Sequence, residues 1–144
     1  MTSWQFNEFQ QVGRDYGNPR EVEIYDSTQA DFATSRRRAR SCSTCSHLAS
    51  SDVLIDFGSG TGTFAIAAAR RCARVHAVDV SQAMIDYAKA KANTAGISNI
   101  AFSHAGFLTY EDLDEPAAAI ATTFALHHLP VLWKELLWRE CAPC

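Results

Sequence analysis

Two carboxylates and a run of glycines carry the chemistry this sequence can offer. Gly58-Ser59-Gly60-Thr61-Gly62 follows the apolar run Val53-Leu54-Ile55-Asp56-Phe57, and Asp79 ends a second apolar run that begins at Val75. Glycines let a chain turn sharply and let a ligand approach the backbone with no Cβ in its way. A glycine loop alone also serves dinucleotide enzymes, but three details separate the two uses. A dinucleotide fingerprint starting at Gly58 needs its third glycine at position 63, which is Thr63; the spacing here is G-x-G-x-G. Asp56 lies just before the first glycine, where a carboxylate repels a pyrophosphate and attracts a ligand bearing ammonium or sulfonium charge. Asp79 follows about 20 residues on, where a carboxylate can accept from both hydroxyls of a ribose.

The elements that must position these groups follow from the same stretch. Val53–Phe57 is a short apolar, partly β-branched run ending at glycines, which predicts a strand. Thr63–Arg71 is alanine-rich and predicts a helix. Val75–Asp79 is a second strand; Ser81 is the expected N-cap of a helix reaching about Ala95, with Gly96 past its end. Ile100–His104 is a third strand. Ala117–Phe124 is a fourth, apolar enough to be buried on both faces. Tyr110 to Glu115 makes at most a short helix, and Pro130 opens a last one. Strands alternating with helices imply a parallel sheet with right-handed crossovers, and a ligand at the carboxyl ends of the strands.

Residues 1–50 read differently and form an N-terminal helical extension, with helices expected near 3–11 and 20–34 and a basic run at Arg36, Arg37, Arg38 and Arg40. Residues 51–144 form the ligand-binding domain. A net charge of -3 gives no global attraction to nucleic acid, so the arginine run reads as a solvated helix face. There is no run of about 18 apolar residues to span a membrane. No basic stretch leads into an apolar one at the start, which points to the cytoplasm. Cys42/Cys45 and Cys141/Cys144 are two C-x-x-C pairs, but they lie far apart in sequence, so no metal site is expected.

The segments Asp56-Phe57-Gly58-Ser59-Gly60-Thr61-Gly62 and Ala77-Val78-Asp79-Val80-Ser81 together resemble the first two cofactor motifs of class I S-adenosylmethionine-dependent methyltransferases. Phe124-Ala125-Leu126-His127-His128-Leu129-Pro130 is similar to the segment after the fourth strand in the ubiquinone/menaquinone-biosynthesis-like, small-molecule branch. The resemblance covers residues 50–138. It implies a Rossmann-like sheet in the order 3-2-1-4 and S-adenosyl-L-methionine as cofactor. Asp56, Gly58, Ser59, Gly60, Thr61 and Gly62 would then pass the methionine part, and Asp79 would hold the ribose. Val80 and Met84 would lie against adenine, with Gly106 and Phe107 as the other wall. Family members often carry an acidic residue about there to bond the adenine amine. This chain reads His104-Ala105-Gly106-Phe107, which implies apolar packing and a backbone amide instead. Phe124 and Ala125 would border the methyl-donor end, and Tyr16 and Tyr25 would close over the cofactor.

Methyl transfer needs alignment and exclusion of water first, and a general base only for some substrates. His128, beside His127, is the candidate base; the alternative is an imidazole packed on the last helix. No Asn/Asp-Pro-Pro-Tyr segment follows the fourth strand, which argues against methylation of DNA bases or glutamine and leaves a small-molecule acceptor. Read as a whole chain, the sequence stops at Cys144, before the last three strands such a sheet has, and activity would be impaired accordingly. The fourth strand is then an exposed edge through which a homodimer would form. Two other readings stand beside this one: a binding or interaction module without catalysis, and a nicotinamide dinucleotide protein, which Thr63 and Asp56 disfavour.

Overall fold

The structure, a computed structural model, describes residues 7–10, 18–29, 48–111, 116–122, 125 and 129–130. Its elements run α1 (Pro19–Gln29), β1 (Val53–Phe57), α2 (Thr63–Ala69), β2 (Arg74–Asp79), α3 (Gln82–Thr94), β3 (Ile100–His104) and β4 (Ala119–Thr122). The four strands form one parallel sheet in the order β3-β2-β1-β4, as expected from the sequence. Leu54 pairs with Val75 of β2 and with Ala119 of β4, so β1 is central and all five of its residues are buried.

Alternation along β1 divides the interior into two layers. Leu54 packs with Ala65, Ala68 and Ala69 of α2 and with Val75 and Ala77 of β2. The small side chains let α2 approach the sheet closely. Ile55 and Phe57 point to the other face, against Val78 and Ala105, with Phe107, Tyr110 and Ala117 alongside. Asp56 shares the face of Leu54, which sends a carboxylate into the α2 layer.

Named groups close α3 at both ends and α2 at its C-terminal end. The Ser81 hydroxyl accepts the Met84 amide at 3.2 Å, the expected N-cap of α3. Gly96, at φ +68°, ends it: its amide donates to Asn93 O and that of Ile97 to Ala92 O, both at 3.0 Å, a Schellman arrangement. The last carbonyls around α2 are met from a distance. Asn99 Nδ2 donates to Ala69 O, Cys72 O and Ala73 O at 2.7, 3.1 and 3.2 Å. The buried Cys72 thiol donates to Ala68 O at 3.3 Å, and its pKa is pushed up by burial.

Several expectations are corrected. β4 is not buried on both faces. It spans only Ala119–Thr122 and alternates, with Ala119 and Ala121 half-buried against the α2 layer and Ile120 48% exposed. Its one hydrogen-bonded neighbour among the described residues is β1, so it is an edge strand with one covered face. The helix expected near 3–11 is absent where described: residues 7–10 form a turn, with Gln10 N donating to Asn7 O and Phe9 N to Asn7 Oδ1. The Asn7 side chain accepting the amide two residues on closes this turn locally. α1 starts as expected, with Asn18 Oδ1 accepting the Arg20 amide at 3.0 Å and Pro19 at the first helical position. It packs against α3, with Val22 buried.

Candidate functional site

The glycine loop leaves β1 without breaking its register. The amides of Gly58 and Ser59 both donate to Val78 O, at 2.8 and 3.0 Å, so the β1–β2 ladder runs one step past Phe57 before the chain turns. The turn requires left-handed backbone, with φ +53° at Gly60 and +73° at Gly62. At Gly62 close packing adds to this, since a Cβ would come within 2.9 Å of Ala88 Cβ on α3. A Cβ on Gly60 would meet nothing within 4 Å, so the loop presents bare backbone to open space there. Gly58 is covered by Ala125, whose methyl group a side chain at 58 would strike. That contact brings Ala125, from the stretch after β4, to the expected mouth of the site.

Asp79 ties the loop to the end of β2. Its Oδ2 accepts the Gly60 amide at 2.8 Å and its Oδ1 the Ser81 amide at 2.9 Å. Both oxygens thus sit at the carboxyl end of β2, where the loop begins its turn. Asp56 is the opposite case. It is 1% exposed, and neither of its oxygens has a hydrogen-bond partner among the described residues. Burial, and secondarily the charge of Asp79, push its pKa up to about 7. A carboxylate buried without compensation is costly, and a cation brought to this end of the sheet would relieve that cost. Three residues on, the buried Ser59 hydroxyl also lacks a partner among the described residues. Together they offer an acceptor for an ammonium and a hydroxyl for a carboxylate. Thr61 and Thr63 hydroxyls lie 3.4 Å apart, and Lys91 Nζ donates to Thr63 Oγ1 at 2.8 Å, bracing the start of α2.

The residues expected around a nucleobase follow the ends of β2 and β3. Val80 is half-buried, and its carbonyl lies 2.8 Å from His104 Nε2, which joins the ends of β2 and β3. Met84 is 3% exposed, more a floor of the core than an open surface. Phe107 stacks on Phe57 with ring centroids 4.9 Å apart, and Tyr110 meets the same Phe57 ring edge-on at 5.4 Å. Gly106 is buried, and the neighbour that fills its space is the carboxylate of Glu8, a residue no sequence signal singled out. Tyr25 is half-buried on α1, which packs against α3. Tyr16, Phe124, His127 and His128, the two C-x-x-C pairs and the arginine run lie outside the described residues. Among the described residues no three His, Cys, Asp or Glu side chains gather as a metal set, and no helix is long and apolar enough to cross a membrane.

Comparison with known proteins agrees with this geometry. No protein of curated function matches the chain. The fold has many solved relatives. YcgJ of Bacillus subtilis superposes with a TM-score of 0.62 at 20% identity, over 69% of this chain and 42% of its own. A Methanococcus maripaludis protein assigned as an S-adenosyl-L-methionine-dependent methyltransferase gives 0.72 at 16% identity, over 91% and 60%. DhpI, solved with SAH (S-adenosylhomocysteine), gives 0.67 at 22%, over 84% and 56%. The chain thus spans between 42% and 60% of the length of these three proteins, and at such identities the likeness shows the fold. The sequence profile of the methyltransferase domain matches residues 54–144, which takes in β1 from Leu54 on, the glycine loop, Asp56 and Asp79. With well over half its length so matched, the chain belongs to the methyltransferase-domain family.

Proposed function

We propose that this chain binds S-adenosyl-L-methionine at the carboxyl ends of β1 and β2 and serves methyl transfer to a small-molecule acceptor. The observation that carries the reading is Asp56: a fully buried carboxylate with no hydrogen-bond partner among the described residues, beside a loop of bare backbone. That environment is repelled by the pyrophosphate of a dinucleotide and stabilised by an ammonium or sulfonium charge. When bound, the cofactor supplies a methyl carbon already activated by its sulfonium.

The chain's own residues then bind and orient. Asp56 and Ser59 take the amino-acid end, Gly58, Gly60, Thr61 and Gly62 give it access to the backbone, and Asp79, at the end of β2, accepts from the ribose hydroxyls. Val80, Met84, Gly106 and Phe107 hold the base, and Ala125, seated on Gly58, borders the reacting end with Phe124. Tyr16 and Tyr25, in the N-terminal extension, would close over the cofactor, and His128 is the residue offered as base where the acceptor must lose a proton. Ile120, exposed on β4, supports pairing of two copies along that strand, which light scattering over a concentration series tests.

Isothermal titration of the purified chain with S-adenosylhomocysteine, and separately with NADH, tests the cofactor assignment. Binding of the nucleoside and not of NADH is expected. Binding of NADH alone, or of neither, overturns the reading.

A further inference from the structure

Glu8 lies outside every motif, yet its carboxylate reaches across 100 positions of sequence to the turn after β3. Its Oε2 accepts the Leu108 amide at 2.8 Å and the Thr109 hydroxyl at 3.2 Å. The same hydroxyl accepts the Gly106 amide at 2.8 Å, so the turn and the carboxylate form one short network. Next along the chain, the Phe9 ring stands edge-on to His104 with centroids 5.2 Å apart. His104 in turn lies on the Val80 carbonyl. Two consecutive residues therefore grip the end of β3 on either side of the proposed nucleobase wall.

Gly106 makes this grip possible through its lack of volume. A Cβ there would lie 2.5–2.6 Å from Cδ, Oε1 and Oε2 of Glu8. Its φ is not among the positive ones, so position 106 needs no left-handed backbone. The glycine leaves room, and Glu8 fills that room with a carboxylate delivered from elsewhere in the chain. Burial raises the carboxyl's pKa while the amides and hydroxyl of the turn draw it back, as for a group held by specific donors.

We propose that Glu8 is a positioning residue for the nucleoside half of the cofactor. Its carboxylate stands in for a side chain at position 106 and fixes the turn that carries Phe107, so docking of residues 7–10 and binding of the nucleoside are linked. This rests on the cofactor reading above. Linkage is reciprocal: whatever factor Glu8 adds to cofactor affinity, the cofactor adds to the docking of Glu8.

The test is a swap, read by titration with S-adenosylhomocysteine, amide hydrogen exchange at Leu108 and thermal melting. Glu8→Ala is expected to weaken binding about tenfold, within the usual range of such couplings, and to speed exchange at Leu108. Glu8→Gln keeps a carbonyl oxygen for the Leu108 amide and should fall between, which keeps the test open if the alanine variant folds poorly. In the double variant Glu8→Ala/Gly106→Asp the carboxylate returns on a local side chain, and most of the lost affinity should return. Gly106→Asp alone sets two carboxylates in one space and should weaken binding. Wild-type affinity in both Glu8 variants, or a double variant no better than Glu8→Ala, overturns the positioning role alone. A wild-type chain that binds no S-adenosylhomocysteine overturns the cofactor reading itself, and the positioning role with it.

Discussion

The Asp79 carboxylate and the Gly60 amide, 19 residues apart, are joined by a hydrogen bond of 2.8 Å that pins the glycine loop to the end of β2. Removing the side chain strips acceptors from two part-buried amides, Gly60 and Ser81. Asp79→Ala is expected to destabilise the chain by about 1–3 kcal/mol, the range for unsatisfied buried donors. It should also weaken S-adenosylhomocysteine binding by well over tenfold, since the ribose loses its acceptor. Asp79→Asn keeps a carbonyl oxygen and should fall between. Denaturant melts and calorimetric titration read the two effects separately, and an Asp79→Ala chain with unchanged affinity would remove Asp79 from the site.

Asp56 makes stability depend on pH in a direction unusual for a carboxylate. Its folded pKa is raised from 3.8 to about 7, so between those values the native state holds a proton that the unfolded chain has lost. The contribution of this group to stability is therefore greatest below about pH 4, falls as pH rises toward 7, and is flat above. A shift of this size corresponds to at most about 4 kcal/mol, less where the site relaxes or admits water. Asp56→Asn should abolish that slope and leave the free protein more stable than wild type at pH 8, while binding the cofactor more weakly. Urea midpoints from pH 4 to 8 read it, and a wild-type profile that rises over this window would contradict the buried, uncompensated carboxylate.

The same group links binding to protons. An ammonium brought near Asp56 lowers its pKa, so near pH 6.5 S-adenosylhomocysteine binding should release a fraction of a proton. Titrations in two buffers of different ionisation enthalpy measure it. Asp56→Asn should reduce the release to near zero; release that persists unchanged assigns the proton elsewhere.

Gly60 and Gly62 separate loop stability from ligand access. Gly62→Ala forces a Cβ against Ala88 at φ +73° and should cost about 2–4 kcal/mol, conformational strain and overpacking together. Gly60→Ala meets no atom within 4 Å, so its stability cost is the backbone term alone, about 1–2 kcal/mol. Its methyl group projects where the ligand must approach, so affinity should fall more than stability does. Equal losses of affinity in the two variants, after matching for fraction folded, would mean the open side of Gly60 is not the ligand's side.

Much of this molecule was legible along the chain because the deciding forces act between near neighbours. Continuous apolar runs name β1 and β2, Ser81 caps α3 with its own hydroxyl, Gly96 ends it, and the resemblance to class I methyltransferases implies the sheet order 3-2-1-4 that the structure has. Asp56 and Asp79 stood out by spacing from the glycines alone. What tertiary structure decided depends on groups far apart in sequence. Among the described residues Asp56 lacks a hydrogen-bond partner because the packing around it supplies none, and its raised pKa follows chiefly from that burial. Ala125 lies on Gly58 because parallel pairing of β4 with β1 carries the following residues to the loop. β4 is buried on one face only, since hydrophobicity states what a strand can bury and not what will cover it. Glu8 reads as an ordinary acidic residue until the fold brings it to Gly106, where a missing side chain and a distant carboxylate complete each other.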